Sequence, residues 1–245
     1  MKQWKTIGLM TLFFVSMHVS SCTPEQFGQI VDMATGTTET PLTQEQIVGG
    51  LKEALVQGAV NGAAKVSAVD GYYKNDLIKI LFPPEAQKVE QKLRDLGMGN
   101  MVDDMIEKVN HAAEDAAKEA APIFKNAITS MTFADAMDIL MGENTAATDY
   151  LKRTTSQGLY NAFEPVIVKH LNNRGALDAW TKVVTRYNQI PFVQKVNPSL
   201  QDHVTNKAID GIFHMIAKEE TLIRKDPIAR TTELLKKVFA KQDNK

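Results

Sequence analysis

Residues 99–121, GNMVDDMIEKVNHAAEDAAKEAA, decide the fold class of this chain. Apolar residues recur in this stretch at the i, i+3, i+4, i+7 spacing of one helix face, while acidic residues and lysines take the other side. The stretch is therefore predicted to be an amphipathic helix. Its apolar face comprises Met101, Val102, Met105, Ile106, Val109, Ala112, Ala113, Ala116 and Ala117.

Helical periodicity extends over the rest of the chain from Thr43, and the alternation of β-branched residues that indicates strands is nearly absent. With 44% hydrophobic and 23% charged residues, the chain is long enough to bury a sizeable core. No internal repeat of 20 to 50 residues is evident. We predict an all-α fold, a single bundle-like domain of many helices over residues 43–245.

Prolines and glycines give the expected boundaries of several helices. A short extended piece at residues 77–82 should end at two prolines, the second of which suits the first turn of a helix that ends at Gly97. Thr132 and Gly142 should delimit a short helix. Pro165 should kink or divide a long one, and the last helix should start at Asp226-Pro227.

A stripe of small residues marks the first helix. Gly50, Ala54, Gly58 and Gly62 recur every four residues, although each glycine costs a helix about 1 kcal/mol relative to alanine. The favoured interpretation is close packing of another helix on this stripe. The alternative is a ligand lying against it.

The N-terminus has the three-part layout of a secretory signal. Lys2 and Lys5 are followed by an apolar run that is too short to span a membrane, and small residues precede Cys22. We expect residues 1–21 to be a signal peptide that is removed.

The residues VSSC at 19–22 resemble the lipobox of bacterial lipoproteins. That resemblance implies cleavage before Cys22, lipid attachment to it, and membrane anchoring by the acyl chains. Thr23 is not the aspartate that retains many such proteins in the inner membrane, which favours the outer membrane, facing the periplasm. The alternative is an ordinary secretory signal with an incidental cysteine.

Residues 22–42 are rich in threonine, glycine and proline, and we interpret them as a tether. Cys22 is the only cysteine, so if it is lipidated the mature chain has no internal disulfide, no thiolate nucleophile and no zinc-thiolate site. Without residues 1–21 the chain has 26 basic and 29 acidic residues, a balance that does not favour nucleic-acid binding.

The sequence gives only weak signals for a catalytic or metal-binding site. Glu107, His111 and Asp115 share one helix side, but that side is expected to face solvent; His214 is expected in the core or at its boundary. Asp135 and Asp138 could pair as carboxylates, although acidic residues near a helix start commonly serve its dipole. No motif of a metalloprotease, a serine hydrolase or a phosphate-binding loop occurs. We predict no catalytic residue, no metal and no cofactor.

The stretch EETLIRKDPIARTTELLKKVF, residues 219–239, has the densest charge near the C-terminus. Glu220 and Arg224 are four residues apart, the spacing of a helical ion pair, and Arg230 and Glu233 are three apart and could also pair. Asp226 precedes Pro227 and is a suitable N-cap for the last helix. These groups could lock the last two helices together. Alternatively, Glu220, Arg224, Asp226 and Arg230 form a ligand or partner site, because an arginine fork also suits a carboxylate or phosphate.

Three ordered stretches give a family resemblance: residues 42–55, LTQEQIVGGLKEAL; residues 131–167, MTFADAMDILMGENTAATDYLKRTTSQGLYNAFEPVI; and residues 208–239, AIDGIFHMIAKEETLIRKDPIARTTELLKKVF. The chain resembles the DUF4197 family, a domain of unknown function found in bacterial envelope proteins. The resemblance supports an all-helical fold and a lipoprotein, and it implies no activity or cofactor.

Three functions are compatible with these observations. The leading one is a lipid-anchored envelope protein that binds a partner protein or another envelope component without catalysis. The second is a carrier of an apolar ligand, which would use the small-residue stripe and methionine-rich faces formed by Met98, Met101, Met105, Met131, Met137 and Met141. The third is a hydrolase that uses Asp135, Asp138 or Glu220.

Overall fold

The part of the chain that the structure describes forms nine α-helices and two short 3-10 helices and contains no strand, as the helical periodicity of the sequence predicts. This computed structural model describes residues 43–240 except 174, 190, 194, 198 and 231. The α-helices are α1 (Gln44–Ser67), α2 (Gln87–Asp95), α3 (Gly99–Ala117), α4 (Ala120–Thr129), α5 (Phe133–Met141), α6 (Ala146–Asn172), α7 (Ala176–Asn188), α8 (Leu200–Lys225) and α9 (Glu233–Ala240). The predicted all-α fold is confirmed. The predicted signal peptide, the tether and Cys22 lie outside the described residues.

Helix α8 lies at the centre of the domain. It packs on α1 on one side and on α6 on the other, and α3 and α4 contact both α1 and α6. Phe124 of α4 meets Phe213 of α8 edge to face, with ring centroids 5.9 Å apart. The buried side chains of these helices form one hydrophobic core, which supports a single domain.

The small-residue stripe of α1 brings other helices close. A Cβ atom placed on Gly62 would lie 2.9 Å from Cγ1 and 3.3 Å from the backbone nitrogen of Ile216 in α8. A Cβ on Gly50 would lie 2.8 Å from Cγ of Leu234 in α9. A Cβ at either position would force its neighbours in α8 or α9 to shift, so the packing interpretation of the stripe is confirmed at Gly50 and Gly62.

Several helix ends have capping residues, and Thr132 is the one predicted for α5. Thr43 and Thr132 each form a capping box with the residue three positions on, Gln46 and Asp135 respectively. Pro84 opens a 3-10 helix, Pro84–Ala86, that leads into α2. The chain leaves α2 at Gly97, whose φ of +79° is in the left-handed region that glycine tolerates.

Two local predictions were wrong, and a third was wrong in part. Pro165 does not divide α6, which is one helix across it, whereas the kink predicted as the alternative stays a prediction. Residues 77 and 78 lie in a turn instead of an extended piece, because the Asn75 carbonyl accepts hydrogen bonds from the nitrogens of Ile78 (3.1 Å) and Lys79 (2.8 Å). The last helix does not start at Asp226-Pro227 either.

The chain after α8 leaves the helical path before α9 begins. Asp226 accepts from the nitrogen of Ile228 at 2.9 Å and caps only the 3-10 helix Pro227–Ala229. Arg230 then has an extended backbone, and Thr232 caps α9 by accepting from Leu235 at 3.2 Å. The extended backbone at Arg230 accompanies a side chain that reaches back to α8.

Candidate functional site

The C-terminal charge cluster starts with Glu220, which is buried on α8 and faces the first turn of α6. Its carboxylate accepts hydrogen bonds from the backbone nitrogens of Ala147 (2.9 Å) and Thr148 (2.8 Å) and from the Thr148 hydroxyl (2.8 Å). The first nitrogens of a helix have no partner within that helix and attract negative charge. Glu220 therefore fixes the start of α6 against α8.

Arg224 pairs with Glu220, as the four-residue spacing predicted. Its Nε and Nη2 atoms lie 2.9 and 2.8 Å from Oε1 of Glu220. Nη2 also donates to the carbonyl oxygen of Ile139, near the end of α5, at 2.8 Å. This buried pair joins α5, α6 and α8.

Arg230 is 2% exposed and continues the network beyond α8. Nε donates to the Ile223 carbonyl at 3.0 Å and Nη2 to the Arg224 carbonyl at 2.9 Å, and the guanidinium lies over the ring of Phe239. The last carbonyls of a helix lack helical partners, and an arginine is well suited to them. The predicted pairing with Glu233 does not describe this geometry, because Glu233 lies at the surface and pairs with Lys236.

The four predicted site residues therefore do not share one environment. Glu220, Arg224 and Arg230 are brought together in the interior, where the contacts described above join them to other parts of this chain, whereas Asp226 is half-buried and caps a turn. A space of about 20 Å³ beside Gly58, Glu220 and Arg224 is large enough for about one water molecule. A ligand or partner role for these four residues stays a prediction.

An apolar groove lies elsewhere, between α2, α3 and α7. Its volume is about 200 Å³, and the residues that form its wall include Phe82, Leu93, Met101, Met105, Trp180 and Val183. Asp104 and Lys108 also border it and form an ion pair with each other. We call this space the α2–α3–α7 groove. It is the right shape for an apolar group, since ligand sites are concave and mostly apolar.

Trp180 is the unusual member of the groove wall. It is 5% exposed, and its indole ring packs on Phe82 with centroids 5.4 Å apart. Its Nε1 donor has no hydrogen-bond partner among the described residues. Buried donors are rarely left unpaired, because the loss of hydration is then uncompensated.

The methionines do not form the common faces that the sequence suggested. Met101 and Met105 border the α2–α3–α7 groove, and Met101 is 50% exposed although it was predicted on the buried face of α3. Met131 lies in the core, whereas Met141 is exposed. Met101 borders the groove at the N-terminal end of α3, whereas Val102 and Ile106 of the same helix are buried in the core.

Sequence reasoning missed two buried polar residues on α3. The Asn110 side chain accepts from the nitrogen of Ile80 and donates to its carbonyl, both at 2.8 Å. Glu114 accepts from the nitrogens of Tyr72 (3.1 Å) and Tyr73 (3.2 Å). Both side chains replace the hydrogen bonds that the irregular segment after α1 cannot make internally.

His111 is only partly on the solvated side that was predicted for it. Its Nδ1 lies 2.7 Å from Oε2 of Glu114, and Nε2 lies 3.5 Å from Oε1 of Glu107. Burial lowers the pKa of His111, but the hydrogen bonds and charges of Glu114 and then Glu107 outweigh it and raise the pKa above its usual value. The protonated ring is thus favoured between two carboxylates.

Other candidates for chemistry are paired or exposed. Asp115 lies 3.0 Å from His170 and also pairs with Lys118, and no group of three or more possible metal ligands occurs among the described residues. His214 is exposed, which contradicts its expected place at the core or boundary. Its position on α8 faces outward between the buried Phe213 and Met215.

The three carboxylates considered for hydrolysis do not share a site. Asp135 caps α5 by bonding to Thr132, and this hydrogen bonding lowers the pKa of Asp135. Asp138 is exposed, and Glu220 is held by its buried partners. In the described part of the chain, none of these three is a buried carboxylate that lacks a donor.

Comparison with known proteins gives one assignment. No curated protein and no solved structure matches the chain. None of the helices in the described residues is both long and apolar enough to cross a membrane. The model of a family described as protein of unknown function (DUF4197) matches residues 41–240, which include every helix described above. The chain belongs to the DUF4197 family.

Proposed function

We propose that this protein is a non-catalytic binding protein of the bacterial cell envelope and that the α2–α3–α7 groove is its binding site. The observation that carries the proposal is the groove itself, a space of about 200 Å³ with a mostly apolar wall. An apolar cavity of about 150 Å³ is enough to hold benzene. The groove therefore has room for an apolar group of at least that size.

The wall of the groove is also suited to ligands of varying shape. Met101 and Met105 have unbranched, flexible side chains that adapt to irregular apolar surfaces. The small-residue stripe of α1, in contrast, is filled by Ile216 and Leu234. For this reason the proposed binding site is the groove and not the stripe.

The proposal includes an anchor in the membrane. The residues VSSC at 19–22 support lipid attachment to Cys22, and the tether of residues 22–42 would let the helical domain stand away from the membrane. We place the domain in the periplasm at the outer membrane. A binding protein held there would meet apolar molecules or proteins that move between the two membranes.

A partner protein is the second candidate occupant. Leu96 and Met98 are exposed and follow each other closely in the connection between the groove residues Leu93 and Met101. They would extend the apolar surface at this end of α3. A stable protein interface buries about 1,200–2,000 Å² in total, so such a partner would have to cover much more than the groove.

Native mass spectrometry of the full chain purified from its host tests the binding proposal. We expect a co-purifying apolar small molecule on the unchanged chain and its loss from Val183→Trp, because the larger side chain fills the groove. Leu222→Trp is the matched control, since Leu222 is a similarly exposed apolar residue that does not border the groove. A bare protein mass for the unchanged chain, or equal loss from both variants, would count against the proposal.

A further inference from the structure

We infer that the α2–α3–α7 groove selects apolar ligands that carry a hydrogen-bond acceptor and that Trp180 Nε1 donates to this acceptor. The inference rests on the proposed function, since it names the ligand class of the same groove. Its basis is the juxtaposition of two features: a mostly apolar space of about 200 Å³, and a residue in its wall, Trp180, whose buried indole donor has no partner among the described residues.

A bound water is a poor hydrogen-bond partner for the unpaired donor of Trp180. A buried water needs two to four polar partners, but the wall around Trp180 is mostly apolar. The charged residues at the border, Asp104 and Lys108, pair with each other. A water at Nε1 would therefore lack most of the hydrogen bonds that hold buried waters in place.

A ligand that brings its own acceptor would restore the missing hydrogen bond. Nε1 is closed to solvent, so the inference requires the wall of the groove to rearrange when a ligand binds. Met101 and Met105 are in the same wall and can change rotamer at low cost. Sites built around a polar donor discriminate against ligands that leave the donor unpaired.

The aromatic packing in the wall suggests the shape of the ligand. Trp180 and Phe82 both border the groove and pack on each other at an interplanar angle of 45°, so we infer that a compact apolar group held there contacts aromatic side chains. A carboxylate is less suitable than a neutral carbonyl, because Lys108 is already paired with Asp104. We therefore assign the ligand to neutral compounds in which a carbonyl is attached to a compact apolar group.

Acetophenone and α-methylstyrene form a matched pair of probes, since they differ only in having a carbonyl oxygen or a methylene group at one position. Both are titrated into the full chain carrying Trp4→Phe. The sequence has two tryptophans, so Trp180 is then the only one, and its indole proton gives a single nuclear magnetic resonance signal. Affinities come from calorimetry.

We expect both probes to bind, acetophenone about tenfold more tightly, and only acetophenone to move the indole proton downfield. Equal affinities without this movement would overturn the inferred acceptor and leave the groove as a binding site. Failure of both probes to bind would overturn the groove as well. An indole proton that is already downfield and bonded to water in the free protein would also contradict the inference.

The variant Trp180→Phe keeps an aromatic ring and removes the donor. We expect it to bind α-methylstyrene still and to lose the preference for acetophenone. A preference that persists would overturn the role of Nε1. Should this variant not fold, the resonance of Trp180 in the Trp4→Phe chain still decides the question.

Discussion

Glu220 is expected to stabilise the fold through its buried hydrogen bonds. It accepts two hydrogen bonds from Arg224, which is buried, and three from the first turn of α6. Removing one member of a buried ion pair leaves the other charge without compensation, which costs about 3–5 kcal/mol. The pair is thus expected to matter far more for stability than any surface pair of this chain.

We predict that Glu220→Gln lowers the free energy of unfolding by about 3 kcal/mol or more, measured by urea denaturation. Glu233→Gln is the control, because it makes the same chemical change in an exposed pair with Lys236 and should have little effect. If Glu220→Gln lost as little unfolding free energy as Glu233→Gln, the buried network would not be important for stability.

His111 should give the stability of the fold a pH dependence of known sign. Its pKa is raised in the folded protein, so the stabilisation is complete below the unfolded value of about 6.5 and is lost as the pH rises through the folded value. We predict that the unchanged chain loses thermal stability relative to His111→Gln as the pH rises from about 6 to about 8.

His203 should behave in the opposite way. Burial lowers the pKa of His203, although Nε2 contacts the Leu81 carbonyl at 2.9 Å. Its contribution is therefore present above the unfolded value and lost as the pH falls, and His203→Gln should become relatively more stable at acid pH. If His111→Gln and His203→Gln show the same pH trend in thermal melts, the assigned environments are wrong.

At the scale of helices, two glycine-to-alanine substitutions in α1 are expected to change the free energy of unfolding in opposite directions. A Cβ on Gly62 would meet Ile216 at 2.9 Å, whereas a Cβ on Gly49 would meet nothing within 4 Å. Alanine favours a helix over glycine by about 1 kcal/mol, but overpacking costs about 1–3 kcal/mol.

We therefore predict that Gly49→Ala raises the free energy of unfolding by up to about 1 kcal/mol and that Gly62→Ala lowers it by up to about 2 kcal/mol. Chemical denaturation of both variants measures the two values. A stabilising Gly62→Ala would mean that α1 and α8 do not approach as closely as described.

The elements that could be predicted from the sequence are those whose signals are local. Caps such as Thr132, the small-residue stripe and the pair of Glu220 with Arg224 all rely on residues within one helix or next to it. Asn110 and Glu114 could not be predicted, because their partners near Ile80 and Tyr72 are 30 or more residues away. Periodicity alone places such polar residues at the surface.

The groove was missed for the same reason. Its wall combines Phe82, Met101 and Trp180 from three separate parts of the chain, and no pattern in the sequence relates them. The sequence did indicate that methionines could line a ligand site, but it grouped Met101 with Met131 and Met141, which the fold separates. Tertiary packing decides which apolar residues fill the core and which border a groove.

At the scale of the whole molecule, the proposed anchor makes the location of the chain depend on one residue, Cys22. We predict that Cys22→Ser abolishes incorporation of labelled palmitate in cells and shifts the protein from the membrane fraction to the soluble one. A variant that remains both labelled and membrane-bound would contradict lipid attachment at this residue.

The central claim is that the α2–α3–α7 groove binds an apolar group, and selective methyl labelling of the methionines tests it most directly. Met101 and Met105 border the groove, whereas Met131 is in the core and Met141 is exposed elsewhere. On addition of α-methylstyrene to the full chain, we predict chemical-shift changes at the methyl groups of Met101 and Met105 and none at those of Met131 and Met141. Unchanged shifts at Met101 and Met105 would contradict the claim.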